Sequence, residues 1–310
     1  MIAVVFPGQG SQRPGMGEDL YHNDSFARQV FDQVEQATGL NMVGLCFNSD
    51  EETLRQTQNT QIALYTTGLA AWYALKASVP GLVPAATAGH SVGEYAALAA
   101  AGVISIEEGA RLVRRRGEIM ANAGSNRPGS MAAVLGLEKD DLTRMLASVQ
   151  SSGTVVVAND NCPGQVVISG DVDAVHAASA AESEFGAKRV IPLNVSGAFH
   201  SPLMESSAAE LSTDLKAAQF SSGKCPVYSN VTASPGENWS DLLEQQLKSP
   251  VRWTESVQAM VNDGITTFIE CGSGEVLTSF LRRISKESTG LKVVDMATLE
   301  ETAAKLKELK

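Results

Sequence analysis

Ala85-Ala86-Thr87-Ala88-Gly89-His90-Ser91-Val92-Gly93-Glu94-Tyr95-Ala96-Ala97-Leu98 is the stretch that decides the fold. Residues 85–88 are a short apolar run, read as a buried strand. Residues 94–101 are small and apolar, read as a helix. Between them lies G-x-S-x-G, the pattern of a nucleophile elbow. Its turn is tight, and a Cβ at either glycine would collide with neighbouring backbone. The elbow lifts the Ser91 hydroxyl clear of the sheet. The helix start places N–H groups and positive partial charge beneath it. A strand running through a sharp turn into a packed helix is an α/β arrangement, and Ser91 is its candidate nucleophile.

Working outward, Ile2–Phe6 reads as a strand ended by Pro7-Gly8-Gln9-Gly10-Ser11-Gln12. Helices are expected over Ser25–Thr38, within 51–76, over Ile106–Ala121, from the loop after His200 to about Gln219, over Trp239–Leu247 and over Val257–Asn262. Strands are expected over Val227–Asn230 and Thr267–Glu270, the latter running into Cys-Gly-Ser-Gly-Glu-Val-Leu at 271–277 and a further helix. Residues 131–193 follow another rhythm. Strand Met131–Leu137, helix Asp140–Val149, strands Thr154–Ala158 and Gln165–Ser169, helix Val172–Phe185 and strand Lys188–Leu193 make β-α-β-β-α-β. That is a ferredoxin-like subdomain bounded by Gly and Pro clusters, as an insertion should be. The expected division is 1–126 plus 196–310 for a large catalytic α/β subdomain, with 127–195 as the small one.

Composition limits the function. With 44% hydrophobic and 19% charged residues the chain is an ordinary soluble globular protein. A net charge of −11 argues against non-specific binding to nucleic acid or anionic membrane. Cys46, Cys162, Cys225 and Cys271 are scattered without C-x-x-C spacing, which suggests a reducing compartment and no structural metal. The N-terminus lacks a basic segment before its short apolar run, and no uncharged run is apolar enough to span a bilayer. Cytoplasm is therefore expected, or an organelle stroma or matrix if a targeting segment had been removed.

A serine nucleophile needs a base, and there are four histidines. His22 sits in a polar segment and His176 on a helix of the insertion, so both read as surface residues. His90 precedes the nucleophile and should leave the turn in another direction, supporting it. His200 remains, in the loop Ser-Gly-Ala-Phe-His-Ser-Pro-Leu-Met where the chain re-enters the main domain. Ser before His fits an α/β-hydrolase-like parallel-sheet core, yet no convincing acid lies between them, so another group must orient His200. The N–H of Val92 is one oxyanion donor. The Gly-rich loop after the first strand is suited to supply a second. That loop lacks the spacing and the lysine of a phosphate-binding loop.

With these residues in place, the chain resembles the malonyl-CoA:acyl carrier protein transacylases of fatty-acid synthesis over nearly its whole length. FPGQGSQ, GHSVGEYAAL, RRRGEIM, ANDNCPGQVVISG, GAFHSPLM, SPVRW and ECGSGEVL occur in that family's order. The resemblance implies that Ser91 is acylated, that His200 is its base and that Gln9 and Val92 supply the oxyanion donors. It implies that the main-chain carbonyl of Gln246 holds His200 in place of an acid. Arg116 resembles the arginine that grips the malonyl carboxylate, and a guanidinium binds that planar anion through two parallel bonds. Arg114 and Arg115 read as solvated charges. Gln61, Asn159 and Asn161 match pocket-lining positions, and Phe199 matches a bulky residue that favours malonyl over branched acyl groups.

What the resemblance implies is ping-pong transfer of malonyl from malonyl-CoA to the phosphopantetheine thiol of a holo acyl carrier protein. No bound cofactor or metal is implied, and a monomer is expected. Carrier proteins of this class are acidic, so docking on a chain of this charge calls for a local basic patch. Lys188, Arg189, Lys248, Arg252, Arg282, Arg283 and Lys286 are candidates. Three rivals share parts of the pattern: a serine thioesterase or esterase, which has no use for Arg116; an acyltransferase loading a polyketide synthase carrier protein; and an inactive interaction module. Ile62 stands where the family often has Pro, Cys162 where Ser is common, and ECGSG where a G-P-G turn is common. These departures bear on pocket shape.

Overall fold

A computed structural model describes residues 1–195 and 197–308, with the side chain of Asn126 excepted. Ser196, where the expected subdomain boundary falls, lies outside the described residues.

The larger sheet has five parallel strands in the order β7-β2-β1-β8-β9. They are β1 (Ile2–Phe6), β2 (Ala86–Gly89), β7 (Val227–Tyr228), β8 (Thr267–Cys271) and β9 (Thr289–Val293). Along β1, Val4 and Phe6 enter one apolar cluster while Ala3 and Val5 enter another. Both faces of the strand are thus buried, as a parallel sheet requires. Phe6 on β1 is registered opposite Gly89 on β2, and β8 runs parallel to β1 on its other side. Three loops therefore leave the same carboxyl edge together: PGQGSQ, the elbow and CGSG. Ligands of open parallel sheets bind in the crevice outside this edge.

The smaller sheet is antiparallel, in the order β4-β5-β3-β6, with β3 (Ser130–Leu135), β4 (Val155–Cys162), β5 (Gln165–Gly170) and β6 (Arg189–Pro192). Helices Lys139–Ser148 and Val172–Ala180 pack on it around Val134, Leu142, Met145, Ile168 and Val175. This order and connectivity are ferredoxin-like.

Several elements differ from expectation. β4 runs to Cys162, four residues past Ala158, because its end finds a second partner outside its own sheet. The Asp160 N–H donates to the Val251 carbonyl at 2.9 Å, and the Val251 N–H to Ala158 at 2.8 Å. Register shifts on either side of Asn159–Asp160 bend this end of the strand. Bulges of this kind re-aim side chains, and the polar sequence Asn-Asp-Asn hides the strand from a reading by apolar alternation. The helical stretch 51–76 is two helices, Glu51–Arg55 and Thr57–Ser78, broken where Gln56 takes an extended ψ of 131°. The short helix expected at Val257 starts at Trp253. β7 ends at Tyr228, leaving Asn230 in a turn. β9 and the closing helix Met296–Glu308 were not anticipated.

Candidate active site

The elbow is held by steric necessity. A Cβ on Gly89 would lie 1.9 Å from the Gly93 carbonyl carbon, and one on Gly93 would lie 2.2 Å from the Phe6 carbonyl oxygen. Between them Ser91 sits at φ 53°, in the left-handed region that costs a non-glycine residue about 1–2 kcal/mol. His200 is held in the same region, at φ 56°. Both conformations are fixed by their neighbours. The Ser91 N–H donates to Asn230 Oδ1 at 2.8 Å, and the His200 N–H donates to the Leu247 carbonyl at 3.0 Å.

The two side chains meet. His200 Nε2 lies 2.8 Å from Ser91 Oγ, and His200 Nδ1 lies 2.8 Å from the main-chain carbonyl of Gln246. A carbonyl can only accept, so Nδ1 carries the proton and Nε2 is the acceptor facing the serine. Burial pushes the His200 ring down to about 3, with the Arg116 charge adding to the effect. The imidazole is therefore neutral and able to accept a proton across the physiological range.

Arg116 projects from helix Ile106–Asn126 into the same site and is only 1% exposed. One terminal nitrogen donates to Gln61 Oε1. The other donates at 3.0 Å to both Ser91 Oγ and Gln246 Oε1. The guanidinium carbon lies 5.7 Å from the centre of the Tyr95 ring. Its sequence neighbours differ, as expected. Arg114 pairs with Glu118, and Arg115 with Glu210 and Asp214, both half in solvent.

Above these groups lies a cavity of about 150 Å³. That is room for a short acyl group. Gln9, Val92, Gln61, Asn159, Asn161 and Phe199 all line it. Among the described residues the N–H groups of Gln9 and Val92 donate to no protein acceptor. His90 also lines the cavity, with Nε2 2.8 Å from Asn161 Oδ1. The ring thereby links the elbow to β4 of the smaller sheet, more than the local support expected of it. Ile62 and Cys162 are fully buried and do not line the cavity.

Two groups at the site escaped the sequence reading. Glu94, fully buried in the first turn of helix Gly93–Ala101, accepts from the Asn230 N–H at 2.6 Å and from Gln246 Nε2. Asn230 in turn donates to the Gly89 carbonyl at 2.7 Å. An acidic residue in a first helical turn ordinarily faces solvent beside the dipole. The only hint was its place within an otherwise apolar, small-residue segment. The basic candidates are partly committed elsewhere. Lys248 bonds Glu205, Arg252 bonds Glu255, and Arg283 bonds Gln165 and the Pro163 carbonyl. Among the described residues Lys188, Arg189, Arg282 and Lys286 make no ion pair.

Comparison with known proteins agrees with this geometry. The acyl transferase domain family matches residues 3–305. A malonyl CoA-acyl carrier protein transacylase of Bacillus subtilis is 42% identical, covering 99% of this chain and 98% of its own length. The crystal structure of the Clostridium perfringens protein of that name superposes with a TM-score of 0.94 at 36% identity, over 99% of this chain and 98% of its own. A type II polyketide acyl carrier protein in complex with its malonyl-transacylase gives a TM-score of 0.93 at 36% identity, over 98% of this chain and 99% of the matched one. The chain belongs to the malonyl-CoA:acyl carrier protein transacylase family.

Proposed function

We propose that this protein transfers the malonyl group from malonyl-CoA to the phosphopantetheine thiol of acyl carrier protein, through a malonyl ester on Ser91. His200 Nε2, 2.8 Å away, takes the Ser91 proton as Oγ attacks the thioester carbonyl. The free N–H groups of Gln9 and Val92 are the donors for the resulting oxyanion. The C–S bond then breaks, and coenzyme A leaves with the proton from His200. In the second half the carrier thiol gives its proton to His200 and its sulfur attacks the ester. Ser91 departs, reprotonated by His200. These residues supply every proton and every donor, so the reading needs no resident cofactor or metal. Gln246 holds His200 in one tautomer by a neutral carbonyl, with no carboxylate beside the ring.

The observation that carries the substrate assignment is Arg116, buried and 3.0 Å from the nucleophile's oxygen. A buried cation at the floor of a short-acyl cavity fits a carboxylate at the far end of the acyl group. Each charged hydrogen bond is worth about 1.5–3 kcal/mol, so two of them favour malonyl over acetyl by a large factor. Gln61, Asn159, Asn161 and Phe199 are the remaining walls of the acyl site. The carboxylate has a second effect in this reading. Arg116 helps depress the His200 ring, so neutralising the guanidinium makes the base stronger once the proper cargo is bound. Both substrates are water-soluble, and the cytoplasm is the setting proposed for the reaction.

The test is intact-mass analysis of the protein mixed with malonyl-CoA, followed by addition of holo acyl carrier protein. A malonyl adduct on Ser91 that passes to the carrier is expected. Release of free malonate at the transfer rate with carrier present would make the protein a hydrolase instead.

A further inference from the structure

Arg116 is a buried cation that makes no bond to a carboxylate among the described residues. Its terminal nitrogens go to Gln61, Ser91 and Gln246, all neutral. The nearest anion in the network is Glu94, reached through one intervening amide. Gln246 Nε2 donates to Glu94 Oε2, and Gln246 Oε1 accepts from Arg116 at 3.0 Å.

The direction of this relay is fixed at both ends of the Gln246 amide. A guanidinium can only donate and a main-chain carbonyl can only accept, so Gln246 turns its oxygen toward Arg116 and its NH2 toward the Ser91 carbonyl and Glu94. The surroundings agree. Gln246 Nε2 also meets the Ser91 carbonyl at 3.1 Å and Asn230 Oδ1 at 3.5 Å, while among the described residues the one bond to its oxygen comes from the guanidinium. The other oxygen of Glu94 accepts from the Asn230 N–H at 2.6 Å. Burial raises the Glu94 carboxyl to about 8, against the opposing pull of the Asn230 and Gln246 donors and the Arg116 charge. Among the described residues its oxygens accept from the Asn230 N–H and from Gln246 Nε2, bonds that favour the carboxylate form.

We propose that Glu94 is a positioning residue for substrate choice: through the Gln246 amide it aims and balances Arg116 while leaving the guanidinium free of an ion pair and open to the malonyl carboxylate. This rests on the acyl-transfer reading above and deepens it. A direct Glu–Arg pair at the cavity floor would satisfy the arginine but close it to substrate. An uncharged floor would leave the arginine unaimed. One amide of separation avoids both. The same Gln246 carries the carbonyl that orients His200, so aiming of the anchor and aiming of the base share one residue.

Glu94→Gln tests this, because it removes the charge set against Arg116, and its single amide oxygen can no longer accept from both Gln246 Nε2 and the Asn230 N–H. Single-turnover acylation of Ser91 is read with malonyl-CoA and with acetyl-CoA on protein that melts cooperatively. Malonylation should fall roughly 10- to 100-fold, the scale of one lost buried charged contact, with acetylation changed far less. Equal loss for both substrates, or an unchanged malonyl-to-acetyl ratio, would reduce Glu94 to a support of the elbow and overturn the proposal.

Should Glu94→Gln fail to fold, the exchange Glu94→Gln with Gln246→Glu restores a donor facing an acceptor and supplies the arginine with a direct partner. It is expected to fold and still to lose malonyl preference, since the new carboxylate occupies Arg116. Retained preference in the exchange variant would equally refute the proposal. Wild type is run alongside. If it forms no malonyl adduct, the acyl-transfer reading itself fails. If it does, only the role of Glu94 is at stake.

Discussion

On the large-sheet side of the cavity, Ser91, His200, Arg116, Gln61 and Gln246 are joined in one hydrogen-bonded set, with Ser91 and His200 both in the left-handed region. On the opposite side Met131, Val167, Leu193 and Val195 present apolar surface from the smaller sheet and the strand-end segment beside it. Each polar group in the first set has its position fixed by directional partners. The second set excludes water by shape alone and can be remodelled without breaking a bond. In the proposed reaction, chemistry and cargo recognition belong to the floor, while the wall sets how much room the acyl group has. Asn161, on the bulged end of β4, joins the two sides through His90.

The largest losses are expected on the floor. His200→Ala should lower the rate of Ser91 malonylation by roughly 10²–10⁴-fold, the range for loss of a general base, in stopped-flow release of coenzyme A. A loss under tenfold would move the base elsewhere. The pH profile sharpens the same point. The His200 ring is depressed to about 3 by burial first and the Arg116 charge second. Its neutral, active form therefore persists well below the ordinary histidine range, and the acid limb of malonylation should lie below it too. Arg116→Ala removes the second cause and should move that limb to higher pH with acetyl-CoA as substrate. A limb that stays in place or moves down would contradict the assignment. The linkage sign is the same for stability. Between the depressed and the ordinary value the unfolded chain binds the extra proton, so this group's contribution falls as pH drops through that window.

On the wall, Met131→Ala should cost about 2–5 kcal/mol of stability as a buried large-to-small change. It should widen tolerance for longer uncharged acyl groups while leaving malonyl preferred over acetyl. A collapse of that preference would show that the wall, too, reads the carboxylate. The smallest expected effect concerns strain. Ser91→Gly should be more stable than Ser91→Ala by about 1 kcal/mol, because only the alanine keeps a Cβ at φ 53°. Equal melting temperatures for the two inactive variants would mean the elbow stores no such strain.

What the sequence disclosed follows the same division. Gly89 and Gly93 are legible because the clash they avoid is local, and Ser91 comes with them. His200 is legible by elimination among four histidines. Residue type says little about Gln246, since its role on His200 is played by a main-chain carbonyl that any side chain could accompany. Its importance came only through likeness to a family. Glu94 was missed because an acid in a first helical turn reads as solvated. Its burial depends on Asn230, 136 residues away, which the sequence placed in a strand and the structure places in a turn. The ferredoxin-like order was legible from alternating apolar runs. The bulged end of β4 was not, because its pairing with Val251 joins segments 92 residues apart with no apolar pattern. The edge strand β9, Thr-Gly-Leu-Lys-Val, is half exposed and carries a glycine, so its pattern is weak.

The central claim is that Arg116, not the elbow, selects the cargo. Intact-mass analysis of wild type and Arg116→Ala, each mixed with equal malonyl-CoA and acetyl-CoA, tests it directly. Wild type should carry almost only malonyl on Ser91, while Arg116→Ala should lose malonylation by about 10²-fold or more, as for two charged hydrogen bonds, and carry acetyl. A variant that still loads malonyl over acetyl at the wild-type ratio would contradict the account.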